Sequence, residues 1–200
     1  RVYDVARETP LDAAPLLSSR LNNQVWLKRE DLQPVFSFKC RGAYNKMSRL
    51  DESARQAGVV AASDGSRARG VALAAQKLSI KATIVMPVTT PAIKVDAVRA
   101  RGARVALFGD TFDEAAVRAA ELVATHGLTF IHPFDDPDVI AGQGTVAMEL
   151  VRQAPGPLDY VFICCGGGGL LAGMAAYLRY TWPDTRIIGV EPEDAACTQA

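Results

Sequence analysis

Tyr160-Val161-Phe162-Ile163-Cys164-Cys165 runs into Gly166-Gly167-Gly168-Gly169 and then Leu170-Leu171-Ala172-Gly173-Met174-Ala175. It reads as a strand, a phosphate-gripping turn and a helix. Consecutive glycines are costly to order, so a folded chain keeps them where backbone approaches a ligand or takes a positive φ. The helix that follows offers unpaired N–H groups and the positive end of its dipole, which together make an anion seat. The spacing matches neither the GxGxxG of a dinucleotide site nor the GxxxxGK[ST] of a nucleoside triphosphatase, since no lysine follows the glycines. A phosphate on some other cofactor is therefore expected. The alternative at this point is a glycine turn that only packs a helix tightly on a sheet.

Outward from this stretch, short β-branched runs alternate with helix-length segments. The runs are Val59 to Ser63, Ala82 to Met86, Arg104 to Phe108, Leu128 to Ile131, Tyr160 to Cys164 and Arg186 to Val190. Such β-α order predicts an α/β fold with a parallel sheet covered by helices on both faces. The helix from Phe112 carries Thr111 and Glu114 as a capping box and Gly127 as its stop. Pro137 after Asp136 is expected to open another helix that runs through Leu150, with Gly142 and Gly144 marking close packing or ligand approach. Nearer the start, Val25 to Glu30 is expected to be an extra strand and Arg41 to Leu50 an amphipathic helix.

With 49% hydrophobic residues among 200, the chain can build a sizeable core. Its 22 basic and 22 acidic residues give no net charge, which speaks against nucleic acid or an anionic membrane as a partner. No signal-peptide pattern and no bilayer-length apolar run is present, so a soluble, cytoplasmic protein is expected. The opening without Met and the end at Cys197-Thr198-Gln199-Ala200, just after a predicted strand, are what a piece of a longer protein would show. Cys40, Cys164, Cys165 and Cys197 lack metal-ligand spacing, and reduced structural thiols, buried for Cys164 and Cys165, are expected. No metal site is predicted. His126 and His132 fall at a helix C-terminus and a strand end, and Asp135, Asp136 and Asp138 read as helix caps.

Two further segments carry chemistry-bearing side chains. Lys39, between Phe38 and Cys40, is a usable amine nucleophile if its pocket is apolar, or a solvated lysine near a helix start if it is not. Ser63-Asp64-Gly65-Ser66 forms a second strand-to-helix turn, suited either to seating a carboxylate or to capping the helix. In parallel α/β sheets ligands collect beyond the carboxyl ends of the strands, where this turn and the glycine run both fall.

Taken in order, Thr9-Pro10-Leu11, Leu27-Lys28-Arg29-Glu30-Asp31-Leu32-Gln33-Pro34, Ser37-Phe38-Lys39-Cys40-Arg41-Gly42-Ala43 and Gly166 to Leu170 resemble the pyridoxal-phosphate enzymes of the tryptophan-synthase β-like fold. Within that family the likeness is to the threonine dehydratases. It extends over nearly the whole chain and includes Ile93 to Arg99, Phe112 to Ala115 and Val139 to Thr145. The resemblance implies a two-lobed α/β fold, with residues 1–55 and 142–200 in the larger lobe and 56–141 in the smaller. It makes Lys39 the catalytic Schiff-base lysine, Gly166, Gly167, Gly168, Gly169 and Leu170 the phosphate loop of pyridoxal 5'-phosphate, and Phe38 a neighbour of the cofactor ring.

It also places Ser63, Asp64 and Gly65 at the substrate carboxylate and Ser66 at the cofactor. The family turn reads Ser-Ala-Gly-Asn-His-Ala-Gln-Gly, whereas this chain has Ser63-Asp64-Gly65-Ser66-Arg67-Ala68-Arg69-Gly70. Ser66 is too short to copy the asparagine's contact with the ring oxygen. Asp64 sets a negative charge beside the carboxylate seat, and Arg67 and Arg69 offset it. The implied activity is dehydration and deamination of threonine or serine to a 2-oxo acid and ammonia by a homo-oligomer. Serine racemisation, another β-elimination, a non-catalytic relative that keeps the cofactor, and a nucleotide-binding module stand as alternatives.

Overall fold

The computed structural model describes residues 1–63 and 65–196, so the readings placed on Asp64 and Cys197 lie outside the described residues. The elements run β1 (Leu11–Ala13), α1 (Pro15–Leu21), β2 (Trp26–Lys28), α2 (Lys39–Met47), α3 (Glu52–Ala57), β3 (Val59–Ala62), α4 (Ser66–Leu78), β4 (Ala82–Met86) and α5 (Ala92–Arg99). They continue as β5 (Arg104–Leu107), α6 (Phe112–His126), β6 (Thr129–Phe130), α7 (Pro137–Gln153), β7 (Tyr160–Cys164), α8 (Gly169–Thr181) and β8 (Arg186–Val190).

The parallel strands fall into two sheets rather than the single one that β-α alternation alone suggests. A four-stranded sheet has the order β5-β4-β3-β6, and β7 pairs with β8 separately. In the first sheet both faces are covered. Val59 and Ala61 join a core with Ile84, Met86 and the α4 residues Val71 and Ala75, while Val60, Ala62 and Val85 pack against Ala115 and Ala119 of α6. Every residue of β3 is therefore buried, as a strand sandwiched between helical layers should be. In β7 the alternation has one dry face: Val161 and Ile163 join the α7 and α8 core, and Tyr160, Phe162 and Cys164 are exposed. Burial of both strand thiols is thus corrected. Period-2 geometry turns Cys164 outward, whereas Cys165 and Cys40 are buried.

Glycines set how closely the helices cross. A Cβ on Gly142 would sit 2.6 Å from the Arg41 carbonyl oxygen, and one on Gly144 would sit 2.9 Å from the Gly173 carbonyl oxygen. Hence α7 crosses both α2 and α8 almost backbone to backbone. Local signals hold at α6, where Thr111 and Glu114 form the reciprocal capping box and Gly127 closes the helix at φ +65°. They hold again at α7, where Asp136 accepts from the backbone N–H groups of Asp138 and Val139. The helix expected from Arg41 starts two residues earlier, at Lys39, whose N–H donates to Ser37 Oγ at 3.3 Å. Strand β6 is shorter than the apolar run, because after Phe130 the Ile131 carbonyl turns to a side chain of α4 and Pro133 offers no N–H. Among the described residues no helix is long and apolar enough to cross a membrane.

Candidate active site

Lys39 is the first residue of α2 and is half-buried. Its Nζ lies 4.6 Å from the centroid of the Phe38 ring, a cation–π contact that holds the amine against an apolar wall. Lys39 shares a small cavity with Arg67, Ile131, His132 and Gln143. Helix α4, which supplies Arg67 to this cavity, presses close. A Cβ on Gly70 would lie 3.1 Å from the Lys39 carbonyl, so glycine at that position lets the two helices meet beside the lysine.

Beneath this turn lies a buried charge network. Arg41 is wholly buried and donates through Nε and Nη2 to Glu30 at 2.8 Å, and through Nη1 and Nη2 to Glu149 at 2.5 and 2.9 Å. Lys28 Nζ adds a 2.6 Å bond to Glu149 and another to Gln153 at 3.0 Å. Thr9 and Gln33 satisfy the Glu30 carboxylate further. Burial opposes ionisation of Glu149, but the Arg41 and Lys28 hydrogen bonds outweigh it and hold the carboxyl below its ordinary range. At neighbouring Cys40 desolvation outweighs the favourable Arg41 charge and pushes the thiol up to about 11, so it stays neutral. Lys28, Glu30, Gln33 and Arg41 all come from quoted motifs, yet their mutual pairing and their partner Glu149 were not read from sequence. A glutamate on the same helix face as Val146, Ala147 and Leu150 was the available signal.

At the other end of the site, Cys165 N donates to the Val190 carbonyl at 2.8 Å and pins the chain to β8 before the glycines begin. Gly166 and Gly167 are exposed, Gly168 takes φ +82°, and α8 starts at Gly169 with Leu170 buried behind it. Space where a Cβ would stand is open at Gly166 and Gly168. An open backbone cradle leading into the N–H groups of a 13-residue helix fits a phosphate group. The other side of the run is covered by Phe134. Its ring fills the place of a Gly167 Cβ, and a Cβ on Gly169 would lie 2.9 Å from its carbonyl oxygen. Phe134 escaped the sequence reading because a single aromatic in a loop carries no periodic signal.

Phe134 follows His132 by two residues, so the segment lining the Lys39 cavity is also the one that backs the glycine run. Phe38 packs against the hydrophobic cluster that contains Leu170. Phe38, Lys39 and the glycine run are therefore gathered around one region. Ser63 is buried, and its Oγ accepts the N–H groups of Gly65 and Ala68 at 3.2 Å each, so the capping role is realised. Gly65 precedes α4 and Ser66 opens it; neither lines the Lys39 cavity. No group of acidic, histidine or cysteine side chains suited to a metal occurs among the described residues.

Residues 2–200 match the family model described as pyridoxal-phosphate dependent enzyme. Threonine dehydratase 1 biosynthetic, chloroplastic, from Solanum lycopersicum is 58% identical over 195 residues, which is 98% of this chain and 32% of the relative. The L-threonine dehydratase biosynthetic IlvA of Haemophilus influenzae is 56% identical over 200 residues, all of this chain and 39% of the relative. The chain thus spans well under half the length of these curated relatives. Among solved structures, the processed form of threonine deaminase isoform 2 from Solanum lycopersicum superposes with a TM-score of 0.95 at 56% identity, covering 98% of this chain and 57% of that one. Serine racemase from Dictyostelium discoideum follows the same fold with a TM-score of 0.90 at 32% identity, covering 97% and 63%.

Proposed function

The chain belongs to the pyridoxal-phosphate dependent enzymes, and we propose that it forms the catalytic part of an ammonia-lyase that dehydrates and deaminates threonine, or serine, to a 2-oxo acid and ammonia. The observation that carries the reading is the juxtaposition of Lys39 with the glycine run through one segment, Ile131 to Phe134. Support for threonine as substrate comes from the names of the dehydratase relatives.

Pyridoxal phosphate, when bound, draws electrons from the substrate's α-carbon and so acidifies its proton. Lys39 Nζ is the amine that holds the cofactor and then removes that proton, with the Phe38 ring restricting its swing. Gly166 to Gly169 and Leu170 hold the phosphate through backbone N–H groups, and Ser63, Asp64 and Gly65 seat the substrate carboxylate, with Ser66 toward the cofactor. The buried ion network keeps the α2 turn from shifting under Lys39. We assign residues 1–55 and 142–200 to a larger lobe and 56–141 to a smaller one, a division supported by the separate sheets within 59–130 and 160–190. A cytoplasmic location and homo-oligomeric assembly belong to the same proposal.

The test is to add threonine or serine to the cofactor-loaded full-length protein and assay 2-oxo acid and ammonia together. Equal release of both, as 2-oxobutanoate from threonine, is expected. Racemised serine without 2-oxo acid would move the assignment to a racemase, and no turnover of either would favour a relative that binds cofactor without catalysis.

A further inference from the structure

Arg67 stands where the family turn has a histidine, and it is almost wholly buried although it is only the second residue of α4. Its Nη1 donates to the Ala62 carbonyl at 2.9 Å and its Nη2 to the Ile131 carbonyl. Those carbonyls lie at the carboxyl ends of the paired strands β3 and β6. A planar guanidinium reaches both with parallel donors, which neither a histidine nor a lysine does.

What Arg67 holds matters for the site. Beyond Ile131 the chain makes a tight turn in which His132 Nδ1 accepts the Asp135 N–H at 2.8 Å, and the His132 and Phe134 rings meet edge to face with centroids 5.1 Å apart. That turn sets the Phe134 ring against Gly167 and its backbone against Gly169. A covalent and packed path of four residues therefore runs from the Arg67 guanidinium to the glycine cradle. On these contacts we propose that Arg67 is a positioning residue, which ties the Ser63 to Ser66 turn to the glycine run by fixing the segment from Ile131 to Phe134. The inference rests on the cofactor-site reading above, and it assigns to a residue unlike the family's own the task of aligning the carboxylate turn with the phosphate cradle.

Arg67→Met keeps much of the side-chain volume and removes every donor, whereas Arg67→Lys keeps the charge and can reach one carbonyl. Both are made in the full-length protein, and two quantities are read: equilibrium affinity for pyridoxal phosphate, and amide hydrogen exchange at residues 131–135 and 166–170. Arg67→Met should weaken cofactor affinity by about tenfold, the scale of one lost charged hydrogen bond, and speed exchange in both segments. Arg67→Lys should recover part of each. Loss of thermal stability with affinity and glycine-run exchange unchanged would reduce Arg67 to local packing and overturn the inference. If Arg67→Met does not fold, the lysine variant decides, and wild-type affinity in it would be contrary to the inference. A wild-type protein that binds no pyridoxal phosphate would instead overturn the site reading, and this inference with it.

Discussion

Two buried arginines flank Lys39, and they are held in opposite ways. Arg41, beneath the lysine, is forked between the carboxylates of Glu30 and Glu149. Arg67, beside it, has the carbonyls of Ala62 and Ile131 as its hydrogen-bond partners. The electrostatic consequences diverge: burial opposes the charge on Arg41 but its carboxylates more than restore it, while burial alone lowers Arg67 to about 10. The first arrangement fixes a helix to its neighbours through full charges. The second joins two strand ends and the loop that follows them through hydrogen bonds to neutral carbonyls.

The largest effect is expected from Arg41→Met, which takes the guanidinium from Glu30 and leaves Glu149 with Lys28 as its remaining cation. We expect a loss of about 3–5 kcal/mol in urea unfolding of the full-length protein, because removing one partner of a buried pair leaves charge uncompensated. A loss below about 1 kcal/mol would mean that water reaches the network and that it does not anchor α2.

A smaller effect separates the two helices that press on α2 from either side. Gly142→Ala sets a Cβ 2.6 Å from the Arg41 carbonyl oxygen and the Gly42 Cα, where only backbone can yield, and should cost about 1–3 kcal/mol. Gly70→Ala meets the Lys39 carbonyl at 3.1 Å. That strain is mild enough for the gain in helix propensity, about 1 kcal/mol, to offset it, so its stability should stay near that of the parent. Equal losses in thermal unfolding would show that the Arg67 side is packed as rigidly as the Arg41 side.

Legibility in the sequence follows the same division between local and distant causes. The cap of α6 by Thr111 and Glu114, the Asp136-Pro137 opening of α7 and the strand-turn-helix at the glycine run are all decided within a few residues, and all could be read. The ion network could not, since Arg41 and Glu149 are 108 residues apart and an unpaired arginine in a sequence reads as surface. The shortness of β6 was equally hidden, because it depends on an α4 side chain that draws the Ile131 carbonyl out of the sheet. Periodicity marked where strands form without saying which sheet each joins. For the site, Lys39 and the glycines stood out by residue type and spacing, whereas Phe134, which connects them in space, offered neither.

Reductive trapping shows whether Lys39 and the glycine run form one cofactor site. The full-length protein is saturated with pyridoxal phosphate, treated with borohydride, digested and mapped by mass spectrometry. A stable cofactor adduct on Lys39 is expected, lost in Lys39→Ala while the fold persists, since that change removes an amine and little core volume. An adduct on a different lysine, or none at full cofactor saturation, would contradict it.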